Sequence, residues 1–141
     1  MSDIDKIRIP STSTDYQVKS ARMMGYIKIS ATGGNNTYTL SNNKFYNMLD
    51  FASFVTTAGD GNVVLPSMAN GDIICVQFPM YMEKTGSTSF YIKFAIDEET
   101  CFSNLPEKFE IKPTKALIAD SPEKLYKVYV LKSNDKYILV R

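Results

Sequence analysis

The side chains available for chemistry in this chain are carboxylates, hydroxyls, thiols and amides, because its 141 residues include no histidine. This lack of histidine excludes Ser-His-Asp and Cys-His nucleophile systems and zinc sites built on imidazole. The turn Asp97-Glu98-Glu99 carries the oxygen ligands that calcium prefers, but no ladder of Asp, Asn and Gly surrounds it. We interpret the turn as a solvated loop and predict no metal site.

An enzyme without histidine needs paired carboxylates or a Ser-Lys dyad. Lys84, Ser87 and Ser89 lie near one another in the sequence, yet no glycine elbow accompanies them. The pair Gly33-Gly34 lacks the strand and helix context of a dinucleotide-binding fingerprint. The sequence therefore predicts a protein that is not an enzyme, with no catalytic residues and no cofactor.

Charge and hydropathy narrow the expected partners. Sixteen basic residues oppose 15 acidic ones, and this balance does not suit the electrostatic footprint of a nucleic-acid-binding protein. No apolar run approaches the roughly 20 residues of a membrane span. The first residues include Asp3 and Asp5 and no apolar core of a signal peptide. We expect neither nucleic acid nor membrane as a partner, and we expect synthesis in the cytoplasm.

Two cysteines bear on the redox environment. Cys75 lies in an apolar run and is typical of a small buried side chain. The spacing between Cys75 and Cys101 matches no disulfide framework. We predict two free thiols and a reducing environment of synthesis.

The clearest structural unit is the stretch from residue 61 to residue 78. The apolar run Val63-Val64-Leu65 ends at Pro66, because proline cannot donate to a sheet ladder. The turn Asn70-Gly71-Asp72 follows, and an apolar second strand begins at Ile73. This unit needs strands on either side, so most of the chain must form sheets around it.

Alternating apolar and polar residues predict further strands at 25–30 and 90–97. Residues 41–57 fit both a helix and a strand, and we favour a strand in the second half of this segment. Roughly eight strand candidates separated by turn signals indicate a sandwich or a barrel. The predicted fold class is all-β, an antiparallel β-sandwich or jelly roll with at most one short helix.

Residues 1–20 form a polar segment before the single sandwich domain predicted for residues 21–141. Ile4, Ile7 and Ile9 give this segment apolar side chains to bury. It is either a frayed terminus or an arm that becomes ordered on a neighbouring subunit.

The last strands, at 125–132 and 136–140, carry apolar residues on both faces. Val128 and Val130 lie on one face, and Tyr129 and Leu131 lie on the other. A strand wetted on one side does not need this pattern, so another layer or another subunit is expected to cover it.

Three segments of the chain resemble a strand-turn-strand pattern of bacteriophage head-decoration and fibre domains. They are Tyr38-Thr39-Leu40, Val63-Val64-Leu65-Pro66 and Asn70-Gly71-Asp72-Ile73. The similarity covers residues 37–78. It implies a β-sandwich or jelly roll, usually trimeric and mounted on a virion, with no shared catalytic residues.

We therefore predict a structural protein of a virion, a capsid-decoration or head-fibre subunit that forms a homotrimer. The major capsid protein or a fibre is the expected further partner. Aromatic and Met side chains are enriched at interfaces. Ordinary core packing is the alternative for each candidate below. The interface candidates are Met80, Tyr81, Met82, Tyr129, Leu131, Tyr137, Ile4, Ile7 and Ile9.

The alternative is a carbohydrate-binding β-sandwich that acts in attachment to a receptor or glycan. Sugar binding uses an aromatic face together with amide and carboxylate hydrogen bonds. Tyr81 and Tyr91, with Asn35, Asn36 and Asp60, supply these groups.

Overall fold

A computed structural model of the chain describes residues 6–9, 14–17, 25–32, 34–83, 88–114 and 125–141. These residues form two large sheets, one separate hairpin and two one-turn 3₁₀ helices, Phe51–Ser53 and Thr56–Ala58. The all-β, two-sheet class is thus confirmed. The strands are β1 (Lys6–Ile9), β2 (Thr14–Gln17), β3 (Tyr26–Ser30), β4 (Thr37–Thr39), β5 (Tyr46–Asp50), β6 (Gly61–Val64), β7 (Ile73–Pro79), β8 (Tyr81–Glu83), β9 (Phe90–Ala95), β10 (Cys101–Ser103), β11 (Phe109–Thr114), β12 (Leu125–Ser133) and β13 (Lys136–Val140).

The six-stranded sheet has the order β10-β13-β12-β7-β5-β3, and the five-stranded sheet has the order β4-β6-β9-β11-β8. From β3 to β7 the chain changes sheet after every strand. Among the described residues, no helix is long and apolar enough to cross a membrane.

The prediction of antiparallel pairing is wrong for most of the fold. Six of the ten pairings between described strands are parallel, including β3 with β5, β5 with β7 and β4 with β6. Parallel neighbours need a crossover connection, and here a strand of the opposite sheet supplies it. A turn signal such as Asn70-Gly71 does not reveal whether the next strand returns to the same sheet, so the sequence did not show this winding.

The core is one cluster of buried apolar side chains between the two sheets. Phe78 of β7 meets Phe109 of β11 across it, with ring centroids 5.3 Å apart in an edge-to-face contact. On β9, Ile92 and Phe94 are buried while Lys93 is exposed. The alternation predicted for this strand is therefore confirmed.

The segment 41–57 differs from its prediction. Its strand, β5, lies in the middle of the segment, and the second half forms the two 3₁₀ helices instead of the favoured strand. Each of these 3₁₀ helices has only three residues, so the helical content of the described residues stays small, as expected for an all-β fold.

The physical reason lies at Asp50, Phe51 and Phe54. The Asp50 carboxylate accepts a hydrogen bond from the Ala52 N–H at 3.0 Å and so caps the first helix. Phe51 and Phe54 are both buried in the core. A spacing of three residues brings both rings to one side in a 3₁₀ helix, whereas a strand would point them to opposite sides.

The final hairpin, β12 and β13, turns through Asn134 and Asp135, which both have positive φ angles of 50° and 60°. A two-residue hairpin loop of this kind requires residues that tolerate this conformation, and Asn and Asp do. The hairpin β1–β2 forms a two-stranded sheet of its own, with Ile7 opposite Tyr16 and Ile9 opposite Thr14.

Candidate interaction surface

The outer face of the five-stranded sheet is mainly polar. Because alternate residues of a strand point to opposite sides, the buried residues Tyr38, Val63, Ile92, Ile111 and Met82 fix which of their neighbours face outward. The outward set contains three charged side chains on the two strands β9 and β11 alone. The outward residues are Thr37, Thr39, Asn62, Val64, Tyr91, Lys93, Ala95, Glu110, Lys112, Tyr81 and Glu83.

The outer face of the six-stranded sheet has the opposite character. Strand register aligns its outward side chains in rows that run across the strands. The first row is Phe102, Ile138, Leu131 and Ile73, and the second row is Val140, Tyr129, Cys75, Tyr46 and Tyr26. We call these nine residues the apolar face.

Exposure within the apolar face is highest at its ends. Phe102 and Tyr26 are each 64% exposed, and Ile73 is 39% exposed. Cys75 is completely buried, and Tyr46 and Tyr129 are its neighbours on the two adjacent strands. Burial raises the pKa of the Cys75 thiol, and hydrogen bonds from Gln77 and Tyr129 oppose part of that effect. Cys75 is therefore a small buried side chain that lies between Tyr46 and Tyr129 in the second row.

The two rows of the apolar face together extend across all six strands of the sheet. With neighbouring strands about 4.8 Å apart, the four-residue row is roughly 14 Å long, the five-residue row is roughly 19 Å long, and the rows are about 7 Å apart. Monomers rarely expose contiguous apolar patches larger than a few hundred Å², and such patches mark places of association.

A polar rim borders the apolar face. The next row along the strands contains Lys127, Gln77, Met48 and Lys28, and the hairpin end beyond Leu131 carries Ser133 and Lys136. An apolar centre with a polar rim is the usual anatomy of a protein–protein interface.

The structure divides the sequence-predicted interface residues among different places. Tyr129 and Leu131 lie in the apolar face. Tyr137 packs against the core, and its hydroxyl donates a hydrogen bond to the Pro66 carbonyl at 2.7 Å. Met82 is buried in the core.

The other candidates lie elsewhere. Met80 is half-buried between β7 and β8, and its carbonyl accepts a hydrogen bond from the Lys112 N–H at 2.9 Å. Tyr81 is on the outer side of β8. Ile7 and Ile9 lie in β1, where the structure describes only the backbone, and Ile4 lies outside the described residues.

Sequence reasoning missed most of the apolar face, above all Phe102, Ile73 and Tyr26. The sequence did contain one indication of this face. In β13, Ile138 and Val140 alternate with Leu139, so apolar residues lie on both sides of the strand. Phe102 gave no usable pattern because its strand has only three residues.

The groups considered for sugar binding do not come together. The Asn36 side chain is buried and donates hydrogen bonds to the carbonyls of Val55 and Gly59 at 2.7 and 3.1 Å. Tyr81 and Tyr91 share the outer face of the five-stranded sheet, but β11 lies between their strands. A depression of about 340 Å³ places Tyr81 near two other polar residues, Asp50 and Glu83.

A cleft of about 400 Å³ lies beside β10. Phe94 and Leu105 contribute apolar surface to it, and Glu98 and Glu107 contribute carboxylates. Cys101, a free thiol, also lines the cleft. Burial raises the pKa of the Cys101 thiol, and the nearby Asp97 carboxylate raises it further, so the cleft has a negative environment.

The acidic turn that precedes β10 is held by its own backbone. The Asp97 carboxylate accepts a hydrogen bond from the Glu99 N–H at 3.0 Å, and the Asp97 carbonyl accepts one from the Thr100 N–H at 3.1 Å. In the part of the chain that the structure describes, no group of three or more His, Cys, Asp or Glu residues is arranged to hold a metal ion.

Comparison of the chain with models of protein families, with curated proteins and with solved structures gives no match.

Proposed function

We propose that this chain is a non-enzymatic structural subunit of a bacterial virus particle, a capsid-decoration or head-fibre protein that forms a homotrimer through the apolar face. The observation that carries the proposal is the contrast between the two outer faces. One presents mainly charged and polar side chains, and the other presents two registered rows of aromatic and aliphatic side chains. The resemblance of residues 37–78 to phage decoration domains supports the location on a virion.

The energetics favour a partner for the apolar face. Fully burying a Phe or Ile side chain contributes about 1.5–3 kcal/mol. Phe102, Tyr26 and Ile73 are the most exposed members of the face, so they have the most apolar area left to bury. A second copy offers the same surface, and closed symmetric assembly is the usual outcome for soluble homo-oligomers. In a trimer, three apolar faces meet around one axis and the polar faces point outward.

The first test is the solution mass by light scattering after size exclusion, at two protein concentrations. We expect a mass near three times 15.9 kDa. Ile73→Lys and Tyr26→Lys place a charge in the apolar face at exposed positions, and we expect both variants to elute as monomers with unchanged circular dichroism.

Val55→Lys is the matched control. Val55 is 38% exposed, almost the same as Ile73 at 39%, but it lies in the 3₁₀ segment away from the apolar face. The Val55→Lys variant should remain a trimer. A wild-type monomer at both concentrations, or equal dissociation of all three variants, would contradict association through this face.

The location on a virion has its own test. Antibodies raised against the chain should label purified particles of the virus that encodes it, at positions that follow the symmetry of the shell. A trimer that is absent from the particles would leave the self-association intact and refute the structural role.

A carbohydrate-binding module is the second candidate, favoured by the depression that holds Tyr81 beside Asp50 and Glu83. An aromatic ring with nearby carboxylates matches the chemistry of sugar recognition. A glycan array should then give hits that Tyr81→Ala abolishes and Tyr91→Ala leaves unchanged, and an array without hits would reject this candidate.

A further inference from the structure

The cleft beside β10 combines an apolar floor with an open sheet edge. Among the described strands, β10 has only β13 as a neighbour, so its other edge has no partner strand there, and all three residues of β10 line the cleft. Phe94 and Leu105 supply the apolar floor. An edge strand next to an apolar groove is the arrangement that receives an added strand from another chain.

The rim of this cleft is acidic. Glu98 and Glu107 line it, and no Lys or Arg is among its described lining residues. Asp97 is close enough to raise the pKa of Cys101, which adds a third negative charge near the cleft. A strand that enters this cleft should therefore carry positive charge as well as apolar side chains.

One segment of the chain has this composition. The sequence of β1 is Lys6-Ile7-Arg8-Ile9, in which basic and apolar residues alternate. Among the described strands, β1 pairs with β2 alone, and these two strands form a two-stranded sheet. An isolated two-stranded hairpin is marginally stable in water, and a third strand makes it stable.

We propose that β1 of one copy adds to the open edge of β10 in a neighbouring copy, where the alternating apolar and basic residues of β1 match the apolar floor and the acidic rim of the cleft. The four residues of β1 span about 13 Å, enough to cover the three residues of β10, which span about 10 Å. The added hairpin extends the six-stranded sheet by two strands. This exchange rests on the proposed homo-oligomer. Phe102 belongs both to the lining of the cleft and to the first row of the apolar face, whereas no residue of the second row lines the cleft.

Disulfide trapping tests the exchange in the full-length chain. Ile7→Cys introduces a thiol into β1, and native Cys101 lies in the cleft. Mild oxidation should then give covalent dimers and larger species on a non-reducing gel. The double variant Ile7→Cys with Cys101→Ser should give none of them. Absence of the cross-link, its persistence without Cys101, or a cross-link within a single chain would overturn the proposal.

Charge reversal tests the electrostatic part of the proposal, with the cross-linking yield of the trapping assay as the readout. Glu98→Lys with Glu107→Lys should lower the cross-linking yield at least fivefold, and so should Lys6→Glu with Arg8→Glu. The combination of all four changes should restore the yield, because the two charges have only changed places. Failure of this rescue would place β1 outside the cleft.

The two proposals fail in different ways. A chain that is trimeric by light scattering, but whose Ile7→Cys variant forms no cross-link to Cys101, refutes the strand exchange and leaves the assembly through the apolar face standing. A chain that is monomeric at both concentrations and forms no cross-link refutes both.

Discussion

Asn70 and Asp135 hydrogen-bond to each other twice although they are 65 residues apart in the sequence. The side-chain amide of Asn70 donates to the Asp135 carboxylate at 3.1 Å, and the backbone N–H of Asp135 donates to the side-chain oxygen of Asn70 at 2.9 Å. Next to them, the Gly71 N–H donates to the Lys132 carbonyl at 2.8 Å. Gly71 has a φ of 92°, which favours glycine. The turn before β7 is thus joined to the turn of the final hairpin, at the end of the sheet where the apolar face begins.

Asn70→Ala removes both side-chain bonds at this junction. We expect a loss of about 1 kcal/mol in the free energy of unfolding, the usual net value for exposed hydrogen bonds of this kind. Urea denaturation followed by circular dichroism measures it. Asn104→Ala is the control, because Asn104 is also exposed and its backbone N–H, which bonds to Leu139, is retained. Equal stability of the two variants would show that the junction contributes nothing.

Asn36 fastens the 3₁₀ segment to the five-stranded sheet. Besides its two donated bonds, its side-chain oxygen Oδ1 accepts a hydrogen bond from the Val55 N–H at 2.7 Å, and its φ is 54°. Asn36→Ala removes three hydrogen bonds and leaves partly buried backbone groups of Val55 and Gly59 without these partners, so we expect a loss of about 2–4 kcal/mol in stability.

Asn35→Ala is the comparison for this prediction. Asn35 is exposed and accepts one hydrogen bond, from the Thr37 hydroxyl at 2.9 Å. Measured by thermal unfolding, the Tm of the Asn36→Ala variant should lie far below that of the wild type, and the Tm of the Asn35→Ala variant should change much less. Similar Tm values for the two would mean that the 3₁₀ segment is held mainly by Phe51 and Phe54.

Gly61 begins β6 where the core leaves no room for a side chain. A Cβ atom at this position would lie 2.5 Å from the Ile92 Cδ1 atom and 3.1 Å from the Phe54 ring. Gly61→Ala should therefore cost about 1–3 kcal/mol through overpacking. Ile92→Val removes the colliding methyl group, so the double variant should recover part of this loss.

Gly25→Ala controls for the general effect of replacing glycine, because its nearest non-neighbouring atom would be 3.7 Å from the new Cβ. The measurement is a double-mutant cycle from urea unfolding. Strict additivity of Gly61→Ala and Ile92→Val would refute the steric explanation.

Cys101 should become reactive at a lower pH when Asp97 loses its charge. The thiolate is the reactive form, and both burial and the Asp97 carboxylate raise the pKa of Cys101. Asp97→Asn keeps an oxygen that accepts the Glu99 N–H bond but removes the repulsion. The midpoint of the alkylation rate against pH should move down, and Glu110→Gln, on the opposite sheet, should not move it.

The same pKa shifts set the sign of the pH dependence of stability. Cys75 and Cys101 both have pKa values raised in the folded state. Their contribution to stability is present below the unfolded thiol pKa of about 8.5 and is lost as the pH rises above it. Urea midpoints measured between neutral and alkaline pH should fall, and Cys75→Ala should reduce the slope of that fall.

Strands with strong apolar–polar alternation could be predicted from the sequence. Their order in the sheets and their parallel or antiparallel direction could not. In β9 the alternation of Ile92 and Phe94 with outward residues identified both the strand and its buried side. In the segment after Asp50, the strand propensity of Phe51 and Phe54 was overridden because both rings enter the core from one turn. The rows of the apolar face depend on register between strands far apart in the chain, which single-strand patterns do not contain.

The sheet order has a consequence for synthesis of the protein. Strands β13 and β12 lie between β10 and β7, so β10 has no described place in the sheet until residues 125–140 have left the ribosome. The row from Phe102 to Ile73 likewise lacks its two middle members, Ile138 and Leu131, on a shorter nascent chain. The apolar face is therefore complete only after β12 and β13 have joined the sheet, and a shorter nascent chain presents only part of it.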